Sequence, residues 1–137
     1  MNIKILLFIL VFIPVAAYGE NISATRNLHP DLIPIYETLT SDQQAQQLVG
    51  TSFVLTLNLK HASEKYLLFH DTQVIVDEVT KYYLIKWLFT PDDVKTIMGK
   101  ADLPCRVKGR IIEVTKGATT PDMPYLAVKL LKVDLEP

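Results

Sequence analysis

Two stretches of the chain place aromatic side chains close to basic ones, a combination suited to binding rather than to bond cleavage. Tyr66 and His70 lie in the first stretch, and Tyr82 and Lys86 lie in the second, the aromatic-rich segment KYYLIKWLF. Aromatic rings beside cations can hold single-stranded nucleic acid by stacking on its bases. These four side chains therefore form the first candidate binding surface.

The segment KYYLIKWLF is predicted to be a strand, and the side chains of a strand alternate between its two faces. We expect one set to belong to the core: Tyr83, Ile85, Trp87 and Phe89. We expect the other set to face outward together with Tyr66, Leu68 and His70: Tyr82, Leu84, Lys86 and Leu88. This outward mixture favours a protein-contact surface over a track for phosphates. The alternative is that the N-terminal helices or residues 73–80 cover this face.

A second candidate surface lies in PCRVKGRIIEV, where the only cysteine precedes basic residues at every second position: Arg106, Lys108 and Arg110. Alternation directs these cations to solvent and directs Cys105 and Val107 to the core. The basic row is either a solvated or edge-protecting face, or a contact for an acidic partner or a polyanion. We expect Cys105 to be a buried apolar residue rather than a nucleophile, with an intermolecular disulfide as the alternative.

No catalytic or metal-binding pattern is found in the sequence. His29, His61 and His70 are far apart and share no metal-ligand spacing with one another or with the cysteine. His70 and Asp71 are adjacent, but neighbours on a strand face opposite ways, which makes them a poor acid–base pair. The chain has no Gly-x-Ser-x-Gly motif and no glycine-rich phosphate loop. We therefore predict a protein that is not an enzyme and that needs no cofactor or metal.

The first 19 residues have the pattern of a secretory signal peptide. Lys4 precedes an apolar run from Ile5 to Ala17, and small residues lead to a predicted cleavage site after Gly19. The run is shorter than the roughly 20 residues of a membrane span, so we expect export to the periplasm and no stable membrane insertion; an uncleaved anchor or a eukaryotic secretory route is the alternative. Loss of Lys4 takes the formal charge from −1 to about −2, which argues against a nucleic-acid partner.

The remaining chain is predicted to be a single domain, with an N-terminal extension of short helices in residues 20–50 and a β-barrel in residues 51–137. The helical signals are the spacing of Leu32, Ile35, Tyr36 and Leu39, and a capping-box pattern at Ser41. From residue 53 the apolar period changes from helical to two, which is typical of strands. TQVIVDEVT is predicted to be extended and to form an additional edge strand.

The predicted strands are separated by one short helix, TPDDVKTIMGK, with Thr90 at its N-cap and Val94, Ile97 and Met98 facing the core. The resulting order is strand-strand-strand-helix-strand-strand. This order, together with QQLVGTSFVLTLNL and CRVKGRIIEV, resembles the OB-fold, a small Greek-key barrel used chiefly for binding. The chain is similar to small exported bacterial OB-fold proteins, including the tRNA-anti-like and periplasmic bacterial OB-fold families. This resemblance implies a mainly β barrel of five to six strands and a bias toward binding.

We therefore expect a soluble periplasmic module without catalytic activity that recognises a protein or peptide of the cell envelope through its barrel face. The site residues are Tyr66, His70, Tyr82 and Lys86, with Arg106, Lys108 and Arg110 as the basic row. The loops HASEK and GATTPDMP are expected to frame one edge of the site. Two alternatives stay open: an inhibitor or immunity-type protein of an envelope enzyme, and a binder of oligosaccharide or single-stranded nucleic acid.

Overall fold

The structure, a computed structural model, describes residues 25–41, 43–76, 78, 80–115 and 123–137. Its helices are a 3-10 turn at Pro30–Leu32, α1 at Ile33–Leu39, a 3-10 turn at Ala45–Leu48 and α2 at Pro91–Val94. Its strands are β1 Ser52–Ala62, β2 Leu67–Phe69, β3 Gln73–Val76, β4 Thr80–Tyr83, β5 Ile85–Leu88, β6 Pro104–Thr115 and β7 Tyr125–Leu135. The predicted signal peptide and most of the loop GATTPDMP lie outside the described residues.

The strands form a nearly closed, OB-like barrel, which confirms the predicted fold class. Five strands make one sheet in the order β2-β1-β6-β7-β5, and β3 and β4 form a separate two-stranded sheet. All neighbouring strands are antiparallel except β5 and β7, which are parallel. The predicted extra strand is β3, which pairs with β4. The short helix α2 lies between β5 and β6, in agreement with the predicted strand-strand-strand-helix-strand-strand order.

The long strands β1 and β6 form the barrel wall because their apolar residues recur with period two. Leu55, Leu57 and Leu59 of β1 are buried, whereas Thr56 and Asn58 between them are exposed. In β6, burial alternates from Cys105 to Ile111 in the same way. The two strands pair in antiparallel register from Ser52 with Arg110 to Asn58 with Pro104, so their buried faces coincide.

Short helical segments complete the core. Thr90 and Asp93 form a capping box that starts α2, in which the Asp93 carboxylate accepts a hydrogen bond of 2.7 Å from the Thr90 N–H. Val94 and Ile97 are fully buried, as predicted, but the prediction for Met98 was wrong because its side chain is 39% exposed. The helix predicted from Ser41 is reduced to the 3-10 turn Ala45–Leu48, which has no side-chain cap.

The predicted single strand over KYYLIKWLF is wrong at Leu84, where the chain bends between β4 and β5. The Leu84 N–H donates to the Thr72 carbonyl, while the Leu84 carbonyl accepts from the Leu126 N–H. Leu84 and Ile85 are consequently both buried, and the alternation reverses at this point. Residues before the bend therefore have the opposite orientation to the predicted one, whereas Lys86 and Trp87 after it face as predicted.

Candidate functional site

The two end strands of the five-stranded sheet, β2 and β5, border an open groove. No ladder joins these two strands in the described part of the chain. The groove between them has a volume of about 350 Å³. Tyr66 and Leu68 line it from the β2 side, and Tyr83, Lys86 and Trp87 line it from the other side. The structure thus brings together Tyr66 and Lys86 of the predicted site.

A tight turn presents Tyr66 to solvent at the β2 side of the groove. The Ser63 hydroxyl accepts from the Lys65 and Tyr66 N–H groups at 3.2 and 3.0 Å, and the Ser63 N–H donates to the Tyr66 carbonyl at 2.9 Å. The Tyr66 ring lies 6.5 Å from the His61 ring, and 60% of the residue is exposed. HASEK therefore forms the predicted hairpin tip and holds an aromatic side chain in contact with water.

Trp87 contributes the apolar floor of the groove. Its ring meets Phe53 and Phe69 edge to face, with centroids 6.2 and 5.7 Å away. The residue is only 7% exposed, and its indole N–H has no acceptor among the described residues. A buried donor without a partner is uncommon in folded proteins.

A smaller groove of about 200 Å³ lies on the other side of Tyr83. The Gln73 amide donates to the Tyr83 hydroxyl at 3.0 Å, and the Lys60 ammonium lies 5.7 Å from the Tyr83 ring centroid. Lys81 also lines this groove. Tyr83 was assigned to the core from the sequence, but it belongs to the wall between the two grooves. The four consecutive apolar residues YYLI break the alternation between apolar and polar residues that a half-buried strand shows. This run is the sequence signal of the bend that places Tyr83 on the wall.

Tyr82 does not line the groove between β2 and β5; it lines the smaller groove and packs partly buried against the core. Its predicted outward orientation is wrong because the bend at Leu84 reverses the alternation. The Tyr82 hydroxyl is buried without a hydrogen-bond partner among the described residues. Burial is the main cause that raises the pKa of Tyr82 well above its ordinary value, and the neighbouring Tyr36 raises it further. Tyr82 is therefore a structural residue in this arrangement.

His70 is exposed at the end of β2 but does not line the groove. Its Nε2 lies 3.1 Å from an Asp102 carboxylate oxygen, and both side chains are largely in contact with solvent. The adjacent Asp71 instead accepts from the backbone N–H and the side-chain amide of Asn58, at 2.9 and 3.0 Å. His70 and Asp71 are adjacent in the sequence but thus have different partners in the structure.

The basic row forms a second surface on the outer face of β6. Arg106, Lys108 and Arg110 are exposed, as predicted, and β6 is a central strand, so they do not protect a sheet edge. On β7, Lys132 lies directly opposite Lys108, and Lys129 lies directly opposite Arg110. The only anion beside them in this register is Asp134, which lies opposite Arg106. The Asp134 carboxylate forms an ion pair of 3.5 Å with the Lys132 ammonium.

Cys105 is fully buried at the start of β6, in agreement with its predicted orientation. Its Sγ is 3.8 Å from the Leu103 carbonyl, and burial raises the pKa of the thiol. Within the described ranges, no three His, Cys, Asp or Glu side chains are grouped to hold a metal ion. The same ranges contain no helix with the length and hydropathy needed to cross a bilayer.

Comparison with known proteins gave no relatives. No family model, no curated protein and no solved structure matches this chain.

Proposed function

We propose that this chain is an exported binding module without catalytic activity that recognises a protein or peptide partner through the groove between β2 and β5. The observation that carries the proposal is the groove itself, bordered by the two end strands of the five-stranded sheet with Tyr66 and Lys86 on opposite walls. Exposed aromatic side chains such as Tyr66 are enriched at protein-contact surfaces. The N-terminal leader pattern supports a periplasmic location, and the strand order supports a relation to the exported bacterial OB-fold families.

Site-specific photo-cross-linking in the native cells tests this function. A photoreactive phenylalanine analogue replaces Tyr66 or Lys86 in the full chain, and the matched control replaces Lys129 on the outer face of β7. We expect one protein to be cross-linked from both groove positions and not from the control. A partner that is cross-linked only from position 129, or the absence of any cross-link from the groove, would contradict the proposal.

The identity of that partner separates the two protein-binding alternatives. If the cross-linked protein is an envelope enzyme whose activity falls when the purified chain is added, the module acts as an inhibitor or immunity-type protein. If its activity is unchanged, the module serves recognition or assembly. Tyr82 is not suited to this test, because its partly buried side chain packs against the core, where a bulky photoreactive side chain would disturb the fold.

A second candidate function is the binding of a polyanion, such as an anionic oligosaccharide, on the outer face of β6 and β7. Five cations favour it: Arg106, Lys108, Arg110, Lys129 and Lys132. Like charges directly opposite one another destabilise a sheet, and a bound anion would remove that repulsion. Binding to heparin that weakens steeply with salt and is lost in Lys108→Glu, but kept in Lys86→Glu, would support this function. Salt-insensitive binding, or none, would exclude it.

A further inference from the structure

We infer that the smaller groove binds one acidic side chain of the partner, with its carboxylate between Lys60, Lys81 and the Tyr83 hydroxyl. This inference rests on the proposed function and adds a second contact beside the groove between β2 and β5. Three features carry it: the outer face of the sheet formed by β3 and β4, a β-bulge that directs a lysine to that face, and a set of hydrogen-bond donors.

The sheet of β3 and β4 has polar side chains on its outer face. Gln73 lies directly opposite Tyr83, and Lys81 lies two residues before Tyr83, so these three side chains share one face. The other face packs inward, because Val74 is fully buried and Tyr82 contacts the core. All three outer residues line the smaller groove, whose volume is about 200 Å³. This size is below the roughly 300 Å³ of the smallest usual ligand pockets, so the groove suits a single functional group.

A β-bulge in β1 directs Lys60 to the same groove. The residues on both sides of Lys60 pair with Leu68 and Phe69, which are adjacent on β2, so Lys60 is an extra residue without a partner in this ladder. Bulges change the direction of a side chain and are frequent beside active sites. The Lys60 ammonium lies 5.7 Å from the centroid of the Tyr83 ring, and Lys60 lines the smaller groove. The bulge therefore adds a cation from β1 to the outer face of β3 and β4.

The hydrogen-bond donors that line this groove lack an anionic partner in the described part of the chain. The ion pairs of the described residues involve neither Lys60 nor Lys81, and no described carboxylate lines the groove. The Gln73 amide donates to the Tyr83 hydroxyl oxygen at 3.0 Å, which leaves the hydroxyl proton for another acceptor. Two ammonium groups and one phenol O–H thus border the same small space. A carboxylate can accept from several donors at once, and its hydrogen bonds are stronger than those between neutral groups.

Tyr83 connects this site to the proposed partner surface, because it lines both grooves. A peptide that occupies the groove between β2 and β5 can therefore extend one Asp or Glu side chain past Tyr83 into the smaller groove. The charge of that side chain is opposite to the charge of Lys60 and Lys81. Charge complementarity of this kind contributes to the choice of partner more than to affinity.

Selection from a random peptide display library with the purified full-length gene product tests this site. We expect a consensus with one fixed position for Asp or Glu. In the Lys60→Glu/Lys81→Glu variant, that position should change from acidic to basic while the rest of the consensus is retained. The matched control, Arg106→Glu/Lys108→Glu, reverses two exposed cations on β6 and should keep the acidic position.

A second measurement tests the role of the Tyr83 hydroxyl. Tyr83→Phe keeps the ring but removes the O–H donor, so it should weaken binding of the best acidic peptide about tenfold or more. The peptide is amidated at its carboxyl terminus, which leaves the side chain as the carboxylate that is tested. A matched peptide with Asn or Gln at the acidic position should lose much less affinity when Tyr83 is replaced.

Four results would overturn the carboxylate site: failure to enrich any peptide, a consensus without an acidic position, an acidic preference that survives Lys60→Glu/Lys81→Glu, and equal effects of Tyr83→Phe on the two matched peptides. If cross-linking from Tyr66 and Lys86 still captures one protein after such a result, the proposed function stands and only this site is wrong.

Discussion

Gly109 offers a quantitative test of how the barrel wall supports the groove. It is buried in β6, and a Cβ at this position would lie 2.6 Å from Val128 Cγ1, 3.1 Å from Phe53 Cζ and 3.2 Å from Trp87 Cζ3. Carbon atoms in contact prefer separations of about 3.5–4.0 Å, so all three neighbours would have to move. Gly109→Ala therefore overpacks the wall behind Trp87, the residue that forms the groove floor.

The expected destabilisation combines two opposing effects. Overpacking a core costs about 1–3 kcal/mol, and three short contacts place this substitution near the upper end of that range. Alanine recovers about 0.5–1 kcal/mol relative to glycine in a strand, because the unfolded chain loses less entropy. We expect Gly109→Ala to lower the free energy of unfolding by about 2 kcal/mol.

A double-mutant cycle with Val128→Ala distinguishes the steric cause from others. Removal of Val128 Cγ1 eliminates the shortest contact and leaves those to Phe53 and Trp87, so Gly109→Ala should cost no more than about 1 kcal/mol in that background, a coupling of about 1–2 kcal/mol. Urea unfolding is followed by the fluorescence of Trp87, the only tryptophan in the chain. The control is Gly50→Ala, where φ is +93° and the space is open, so its cost should be the same in both backgrounds. An equal cost of Gly109→Ala in both backgrounds would refute the argument.

Three further outcomes are expected. Tyr82→Phe removes a buried hydroxyl without a partner and should raise the free energy of unfolding at pH 7 by about 1 kcal/mol. The raised pKa also means that above pH 10 the unfolded state loses the Tyr82 proton while the folded state keeps it. The free energy of unfolding of the wild type should therefore fall by up to about 1.4 kcal/mol per pH unit above pH 10, relative to Tyr82→Phe. Parallel pH profiles of the two proteins in urea unfolding would contradict this. Thr90→Ala should cost about 1 kcal/mol in urea unfolding through loss of the capping box, and a cost near zero would count against it. The buried Cys105 thiol should react with a thiol reagent at least about a hundredfold more slowly in the folded protein than in denaturant; equal rates would contradict its burial.

Much of the barrel could be predicted because its longest strands carry a local pattern. The alternation in β1 and β6 predicted which residues are buried, and the residues around Thr90 predicted the start of α2. These patterns depend on residues within a few positions of one another. The outward orientation of Arg106, Lys108 and Arg110 was predictable for the same reason.

The candidate site depended on contacts between distant segments. The packing of Tyr82 against the core and the place of Tyr83 on the wall between the grooves follow from hydrogen bonds that Leu84 makes to Thr72 and to Leu126. No local pattern encodes those partners. The positions of Lys129 and Lys132 opposite the basic row likewise depend on the register of β7 against β6.

The sequence by itself determined the strand-rich class, the order of strands and helix, and the faces of the long strands, because period-two alternation and helix caps act between near neighbours. Only the tertiary structure decided that no ladder joins β2 to β5 among the described residues, that Tyr66 and Lys86 lie on opposite walls of the resulting groove, and that Tyr82 lines the smaller groove instead. The physical reason is that strand pairing and register are set by the closure of the whole barrel around one core.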